Sequence, residues 1–165
     1  MTVNATPELR ELLRAEISGP VEPQIAAIAD LARARYGQNA CAVLFYGSCL
    51  RRGYKDDDVV DLYLIIDRYG RGPVSRLTAL LNWLLPPNVV YLETDVGGGT
   101  VRAKCAIISL GDFERGVSGR WFHSYMWARF AQPCRLAYVR NDDLTERIRG
   151  ALEGAAETMV REVCP

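Results

Sequence analysis

The sequence lacks several patterns that identify common functional classes. Its 165 residues contain 20 basic and 20 acidic side chains, so no excess of positive charge favours binding to nucleic acid. No apolar run approaches the ~20 residues of a membrane-spanning helix, and the longest candidate, 77–85, ends at Pro86-Pro87. The N-terminus has neither the basic nor the apolar region of a signal peptide. We therefore expect a cytoplasmic protein with no transmembrane segment and no nucleic-acid partner.

Cysteine and histidine are too scattered to indicate a zinc site. The five cysteines, an odd number, form no Cys-x-x-Cys pair, which disfavours both a disulfide framework and zinc binding. Cys41 and Cys105 lie in apolar runs, where small buried thiols are common. A nucleophilic role for Cys49 would need a nearby base, and the single histidine, His123, is on a distant segment.

Helical and strand-like patterns alternate along the chain, with strands occurring in pairs. Helices are predicted at about 6–17, 23–36, 74–85, 120–130 and 144–163, and strands at 41–46, 59–67, 89–93, 101–110 and 134–139. The first two strands are joined by a connection too short for a crossover helix, so they should be antiparallel neighbours. The glycine run at 97–99 predicts a hairpin tip, because it lacks the strand-to-helix context of a phosphate loop.

The segment Phe45-Tyr46-Gly47-Ser48-Cys49-Leu50-Arg51-Arg52 joins the end of an apolar strand to a basic loop. Gly47 has no Cβ, so its backbone can come close to a ligand. The hydroxyl and amides around Ser48 can donate to phosphate oxygens, and Arg51 adds positive charge. These are properties of a phosphate-binding loop, although Gly-Ser after a strand is often only a turn.

Asp61 is a carboxylate inside the apolar strand Val-Val-Asp-Leu-Tyr-Leu-Ile-Ile. Strand alternation places it on one face with Tyr63 and Ile65, while Leu62 and its alternate neighbours fill the other face. A buried carboxylate is costly unless it is paired or binds a metal, and Mg²⁺ prefers such hard oxygen ligands beside substrate phosphates. We therefore predict that Asp61 binds magnesium and that strand pairing brings it near Ser48.

The order of elements predicts an α+β fold with a mixed, largely antiparallel sheet flanked by helices. Adjacent strand pairs argue against a doubly wound parallel sheet, which needs a helix between strands. The core of polymerase-palm-like nucleotidyltransferases fits this order better. We expect residues 1–140 to form this domain and residues 141–165 to form a C-terminal helix that begins a truncated helical region.

Seven short segments between about residues 40 and 138 stand in an order that is typical of one family. In chain order they are Phe45-Tyr46-Gly47-Ser48, Gly53-Tyr54, Val60-Asp61-Leu62, Pro86-Pro87-Asn88-Val89, Lys104 to Ser109, Trp121 with Tyr125, and Arg129 to Pro133. In these segments the chain resembles the mitochondrial-type phosphatidate cytidylyltransferases, the translocator assembly and maintenance family, which make CDP-diacylglycerol from CTP and phosphatidate.

The resemblance implies that Gly47 and Ser48 hold nucleotide phosphates and that Asp61 holds Mg²⁺, with Lys104 and Arg129 in the family's basic positions. We expect Asp61 and Ser48 to be catalytic. The other candidates are Tyr46, Cys49, Arg51 and Lys104 for the nucleotide, Asp58 for the metal, and Arg129 with His123 for the substrate. His123 is not needed as a general base, because a phosphate acceptor is already ionised near neutral pH. A structural hydrogen bond is the alternative role for His123.

The chain departs from the usual Asp-x-Asp pattern of nucleotidyltransferases, because the position two before Asp61 is Val59. A second metal ligand would come from Asp58, from Glu93 or from the substrate. Asp58 also lies in the run 56–58, for which a solvated turn is the simpler interpretation. Gln132 stands where the family has a basic residue.

The expected reaction is transfer of CMP from CTP to a phosphatidate-type acceptor, with release of pyrophosphate. Such an acceptor implies peripheral association with a membrane surface. Two alternatives remain open: a catalytically inactive nucleotidyltransferase-like binding module, which Val59 permits, and a nucleotidyltransferase that acts on a soluble acceptor.

Overall fold

A five-stranded mixed sheet carries helices on both faces in residues 7–70, 88–119 and 125–163, which are the residues that the computed structural model describes. The helices are α1 (Pro7–Ile17), α2 (Pro23–Tyr36), α3 (Ser48–Arg52), α4 (Leu110–Val117), α5 (Tyr125–Phe130) and α6 (Asp142–Val163), with a 3₁₀ turn at Gly37–Asn39. The strands are β1 (Ala40–Tyr46), β2 (Val59–Ile66), β3 (Asn88–Val96), β4 (Gly99–Ser109) and β5 (Cys134–Val139).

The strand order across the sheet is β3-β4-β2-β1-β5. Strands β2 and β4 are parallel, whereas β1 pairs antiparallel with both β2 and β5, and β3 pairs antiparallel with β4. This arrangement confirms the predicted α+β class with a mixed, largely antiparallel sheet. It also confirms the predicted β1–β2 neighbours and the β3–β4 hairpin.

Side-chain alternation along β2 separates the two faces of the sheet, as the sequence predicted. Tyr63 and Ile65 belong to a core layer that includes buried residues of α4, α5 and α6. Leu62 and Leu64 belong to the opposite layer, which is packed against α2. Because Asp61 shares the face of Tyr63, its carboxylate lies on the α5 side of the sheet.

The structure differs from the predicted elements at two places. The segment after Gly47, expected to be a loop, forms the short helix α3. Helix α4 was not predicted, because Gly111 in its first turn hides the helical signal. Its start is nevertheless encoded locally, since the Ser109 hydroxyl accepts a hydrogen bond from the Asp112 amide at 3.2 Å.

Two predicted segments lie outside the described residues in whole or in part. The helix expected at 74–85 falls wholly outside them, and the aromatic helix expected at 120–130 is described from Tyr125 onward. Among the described helices, none has both the length and the apolar character needed to cross a bilayer.

Phe130, at the end of α5, anchors this short helix to the sheet. Its ring lies 4.9 Å from that of Tyr63 and 5.1 Å from that of Phe113, both in edge-on geometry, and 6.0 Å from that of Tyr46. Edge-on aromatic pairs contribute beyond the area that they bury. Such packing matters because the hydrogen bonds within the six described residues of α5 are too few to stabilise a helix by themselves.

We predict that Phe130→Ala lowers the free energy of unfolding by about 3–5 kcal/mol, because it leaves a large cavity among these rings. Urea denaturation measures this loss. Leu12→Ala is the control, since Leu12 is 69% exposed and its truncation should change stability by less than about 0.5 kcal/mol. Equal effects of the two substitutions would contradict this account of the core.

Candidate active site

A cavity of about 420 Å³ opens where β1 ends and β2 begins. It lies on the face of the sheet that carries α5. Most of the residues predicted from sequence meet here. The lining residues are Tyr46, Gly47, Ser48, Arg51, Asp61, Tyr125, Ala128, Arg129 and Gln132.

Strand pairing accounts for the meeting of the Gly-Ser segment with Asp61. Tyr46, the last residue of β1, is the antiparallel partner of Asp61 near the start of β2. The chain then turns at Gly47, whose φ of 91° is accessible to glycine and strained for other residues. A Cβ built on Gly47 would lie 2.5 Å from Oδ2 of Asp61. Gly47 is therefore required because its backbone passes directly against the Asp61 carboxylate.

The Asp61 carboxylate is half-buried and carries no hydrogen bond or ion pair within the described part of the chain. Burial raises the pKa of this carboxyl group above its ordinary value, and the charges of Arg129 and Lys104 oppose that rise. Lys104 is the residue of β4 directly beside Asp61 in the parallel β2–β4 pair. Asp61 thus has cations nearby and no permanent partner, which leaves its oxygens available to a ligand.

Arg129 is held by aromatic side chains. Its Nη1 donates a hydrogen bond of 2.9 Å to the hydroxyl of Tyr46. Its guanidinium carbon lies 4.4 Å from the ring centre of Tyr125 and 5.1 Å from that of Tyr46, distances at which cation–π attraction operates. Its Nε is buried and has no hydrogen-bond partner among the described residues. Arg129 is fixed beside Asp61 without neutralising it.

Burial raises the pKa of Tyr46 to about 12, although the charge of Arg129 opposes the shift. The phenol is therefore neutral at physiological pH. It accepts the Arg129 hydrogen bond and keeps its own proton available for donation into the cavity.

Arg51 reaches the rim of the cavity from the last turn of α3. Its Nη1 donates to Oε1 of Gln132 at 3.2 Å, which links α3 to the turn after α5. Ser48, in the first turn of α3, has an exposed side chain that also lines the cavity. Sequence reasoning did not select Gln132 or Tyr125 as site residues. Their only signal was their position in the segments that carry the family resemblance.

Three of the predicted residues that the structure describes do not line the cavity. Cys49 is buried, and its Sγ donates to the carbonyl of Val59 at 3.6 Å. Burial also raises the pKa of the Cys49 thiol, so this residue is unsuited to be a nucleophile.

Asp58 accepts hydrogen bonds from Arg52 at 2.7 Å and from the Lys55 amide at 2.9 Å, and the Arg52 bond lowers the pKa of Asp58. Lys104 lies next to Asp61 in the sheet, and His123 lies outside the described residues.

Metal-ligating side chains are sparse in this region. Within residues 7–70, 88–119 and 125–163, no three His, Cys, Asp or Glu side chains are grouped so that they could hold a metal ion. Glu93, one of the candidate second ligands, is paired with Arg102 at 3.2 Å. Asp61 is the one carboxylate among the lining residues of the cavity.

We predict that Gly47→Ala and Gly53→Ala both destabilise the fold by roughly 1–3 kcal/mol, because both glycines have positive φ. Only Gly47→Ala should also displace the Asp61 carboxylate, since a Cβ on Gly53 would meet nothing within 4 Å. Urea denaturation measures the shared strain, together with the further loss that the clash with Asp61 adds in Gly47→Ala. Equal destabilisation by the two variants would contradict the importance of this contact.

We predict that Asp61→Asn stabilises the metal-free protein near pH 7. The raised pKa of Asp61 means that ionisation disfavours the folded state. This penalty is absent below the unfolded-state pKa of about 3.9 and fully present above the folded-state pKa. The advantage of the variant should therefore grow as pH rises through that window and then stay constant. Unfolding midpoints in EDTA at several pH values check this, and an Asn variant less stable than the wild type at every pH would refute it.

No protein-family model matches this chain, and no curated protein matches it significantly. A function for the cavity must therefore come from its geometry and from the chemistry of its side chains.

Proposed function

We propose that the protein is a magnesium-dependent nucleotidyltransferase with a polymerase-palm-like fold. The observation that carries this proposal is the unpaired, half-buried carboxylate of Asp61, which shares one cavity with the Ser48 hydroxyl, Arg51 and Arg129. A carboxylate without a partner is costly to bury, so its position calls for a cation. The positive charges of Arg51 and Arg129 in the same cavity favour an anionic ligand. A metal-bound triphosphate satisfies both requirements.

The side chains of the cavity fit a Mg²⁺ ion that takes most of its ligands from the substrate and from water. Mg²⁺ keeps several waters and is commonly held by one or two carboxylates together with substrate phosphates. Asp61 would supply the protein's carboxylate. Because Asp58 is bonded to Arg52 and Glu93 to Arg102, the substrate is the favoured source of the second ligand. When bound, the ion would neutralise charge on the phosphate under attack.

In this proposal the side chains of the cavity act by holding the substrate phosphates in position. Arg51 and Ser48 hold the β and γ phosphates, and the Arg51–Gln132 hydrogen bond keeps Arg51 at the rim. Arg129, fixed by Tyr46 and Tyr125, offers a cation that need not be reorganised during the reaction. Such orientation accounts for much of the catalysis of phosphoryl transfer, and no covalent enzyme intermediate is required.

A phosphomonoester acceptor fits this cavity better than a hydroxyl acceptor. A hydroxyl group needs a general base, and among the described residues that line the cavity there is no histidine and no carboxylate besides Asp61. The residue next to Asp61 across the sheet is Lys104, which would attract an ionised phosphate. The choice of CTP and of a phosphatidate-type lipid follows from the family resemblance, and such a lipid would bring the protein to a membrane surface.

We expect that the protein, incubated with labelled CTP, Mg²⁺ and phosphatidic acid, forms a CDP-lipid. Asp61→Asn should lower the rate by at least about a hundredfold, because it removes the metal's protein ligand. Asp67→Asn, just beyond the other end of β2, is the matched control and should leave the rate unchanged. Thin-layer separation of the labelled lipid measures the product. Undiminished product from Asp61→Asn would refute the role of Asp61.

Binding and product assays with the same reagents distinguish the two alternative functions, a binding module and an enzyme with a soluble acceptor. Magnesium-dependent CTP binding with no product from any phosphate acceptor would identify a binding module. Product from a sugar phosphate, but not from lipid vesicles, would identify a soluble acceptor.

A further inference from the structure

Four side chains form a row across the face of the sheet that carries the cavity. The strand registers align Tyr91 of β3 with Lys104 of β4, Lys104 with Asp61 of β2, and Asp61 with Tyr46 of β1. Neighbouring strands lie about 5 Å apart, so Tyr91 stands about 10 Å from Asp61. Asp61 is therefore flanked on one side by Tyr46 and on the other by Lys104 and Tyr91.

Among the described residues, the groups proposed to bind the nucleotide phosphates lie on the β1 side of Asp61. Ser48 and Arg51 follow β1, and Arg129 is bonded to Tyr46 on β1. In nucleotidyl transfer the attacking and leaving oxygens lie roughly in line on opposite sides of the phosphorus atom. If pyrophosphate departs toward Ser48 and Arg51, the acceptor must approach from the side of Lys104 and Tyr91.

The surface on that side has both a cation and exposed apolar groups. Lys104 is exposed, and its Nζ lies 6.0 Å from the ring centre of Tyr91. Tyr91 is 61% exposed and Val89, two residues earlier on the same face of β3, is 56% exposed. A lysine ammonium binds a phosphate as a point charge, and exposed apolar side chains favour the non-polar part of the same molecule.

We propose that Lys104, Tyr91 and Val89 form the acceptor subsite, which binds a phosphomonoester that carries an apolar group. This inference rests on the proposed function and assigns Lys104 to the acceptor rather than to the nucleotide. An oxygen of the acceptor phosphate forms the new bond to the α-phosphorus. The bond from the α-phosphorus to the oxygen bridging to the β-phosphorus breaks, and pyrophosphate leaves with that electron pair. No proton has to be removed from the acceptor, which is consistent with a lysine at this place.

Equilibrium binding tests the subsite separately from catalysis. Calorimetry with Mg²⁺ would compare CTP, short-chain dihexanoyl phosphatidate and glycerol 3-phosphate as ligands of the wild type, Lys104→Gln, Tyr91→Ser and Lys55→Gln. Lys55, an exposed lysine in the turn before β2, is the matched control for Lys104. Urea denaturation of each variant verifies that the fold is retained.

We expect Lys104→Gln to weaken binding of both phosphomonoesters by roughly ten- to a hundredfold while CTP affinity changes less than about twofold. Tyr91→Ser should weaken binding of dihexanoyl phosphatidate and not of glycerol 3-phosphate. Lys55→Gln should change none of the three affinities.

Three results would overturn the inference. The first is a loss of CTP affinity in Lys104→Gln while phosphomonoester binding stays intact. The second is a loss of CTP affinity in Tyr91→Ser, which would place the nucleobase on that ring, and the third is a wild type that binds CTP and neither phosphomonoester. A wild type that binds phosphomonoesters through Lys104 but does not bind CTP would instead overturn the proposed function and leave the subsite standing. A wild type that binds none of the three would overturn both.

Discussion

The contact between the Gly47 backbone and the Asp61 carboxylate is the constraint on which the rest of the site depends. The antiparallel register of β1 and β2 places the end of one strand against the start of the other, and the carboxylate fills the space that a Cβ would need. From this point α3 directs Ser48 and Arg51 toward the same cavity. The absence of a Cβ at Gly47 therefore allows the Asp61 carboxylate, the Ser48 hydroxyl and the Arg51 guanidinium to line one cavity.

The charges of the site are left unbalanced in a specific way. Asp61 is half-buried without a partner among the described residues, while Arg129 is held by two tyrosines, through both rings and the Tyr46 hydroxyl, rather than by an acid. An ion pair between the two would have stabilised both groups and closed the site to ligands. Keeping the two groups unpaired costs folding stability, a cost that proteins commonly accept at functional sites.

Local patterns were sufficient to predict much of the fold. Alternation along β2 assigned its faces correctly, and the short β1–β2 connection implied the antiparallel pairing that brings Ser48 to Asp61. Helix α4 escaped prediction because Gly111 interrupts its local pattern, although packing against the sheet overrides that weakness. The C-terminal helix α6, considered separately from the sheet at first, contributes Leu144 and Ile148 to the core layer that contains Tyr63.

The sequence by itself determined the strands of the sheet and the residue types of the site, because strand period, glycine placement and apolar runs act over a few neighbouring residues. Only the tertiary structure decided which carboxylates are paired with an arginine. The sequence favoured Asp61 as the metal ligand and left Asp58 and Glu93 open as sources of a second one. In the structure Arg52 and Arg102 pair with Asp58 and Glu93, while two tyrosines hold Arg129. The physical reason is that the state of a carboxylate depends on burial and on the distance to each cation, and both are set by residues far apart in the chain.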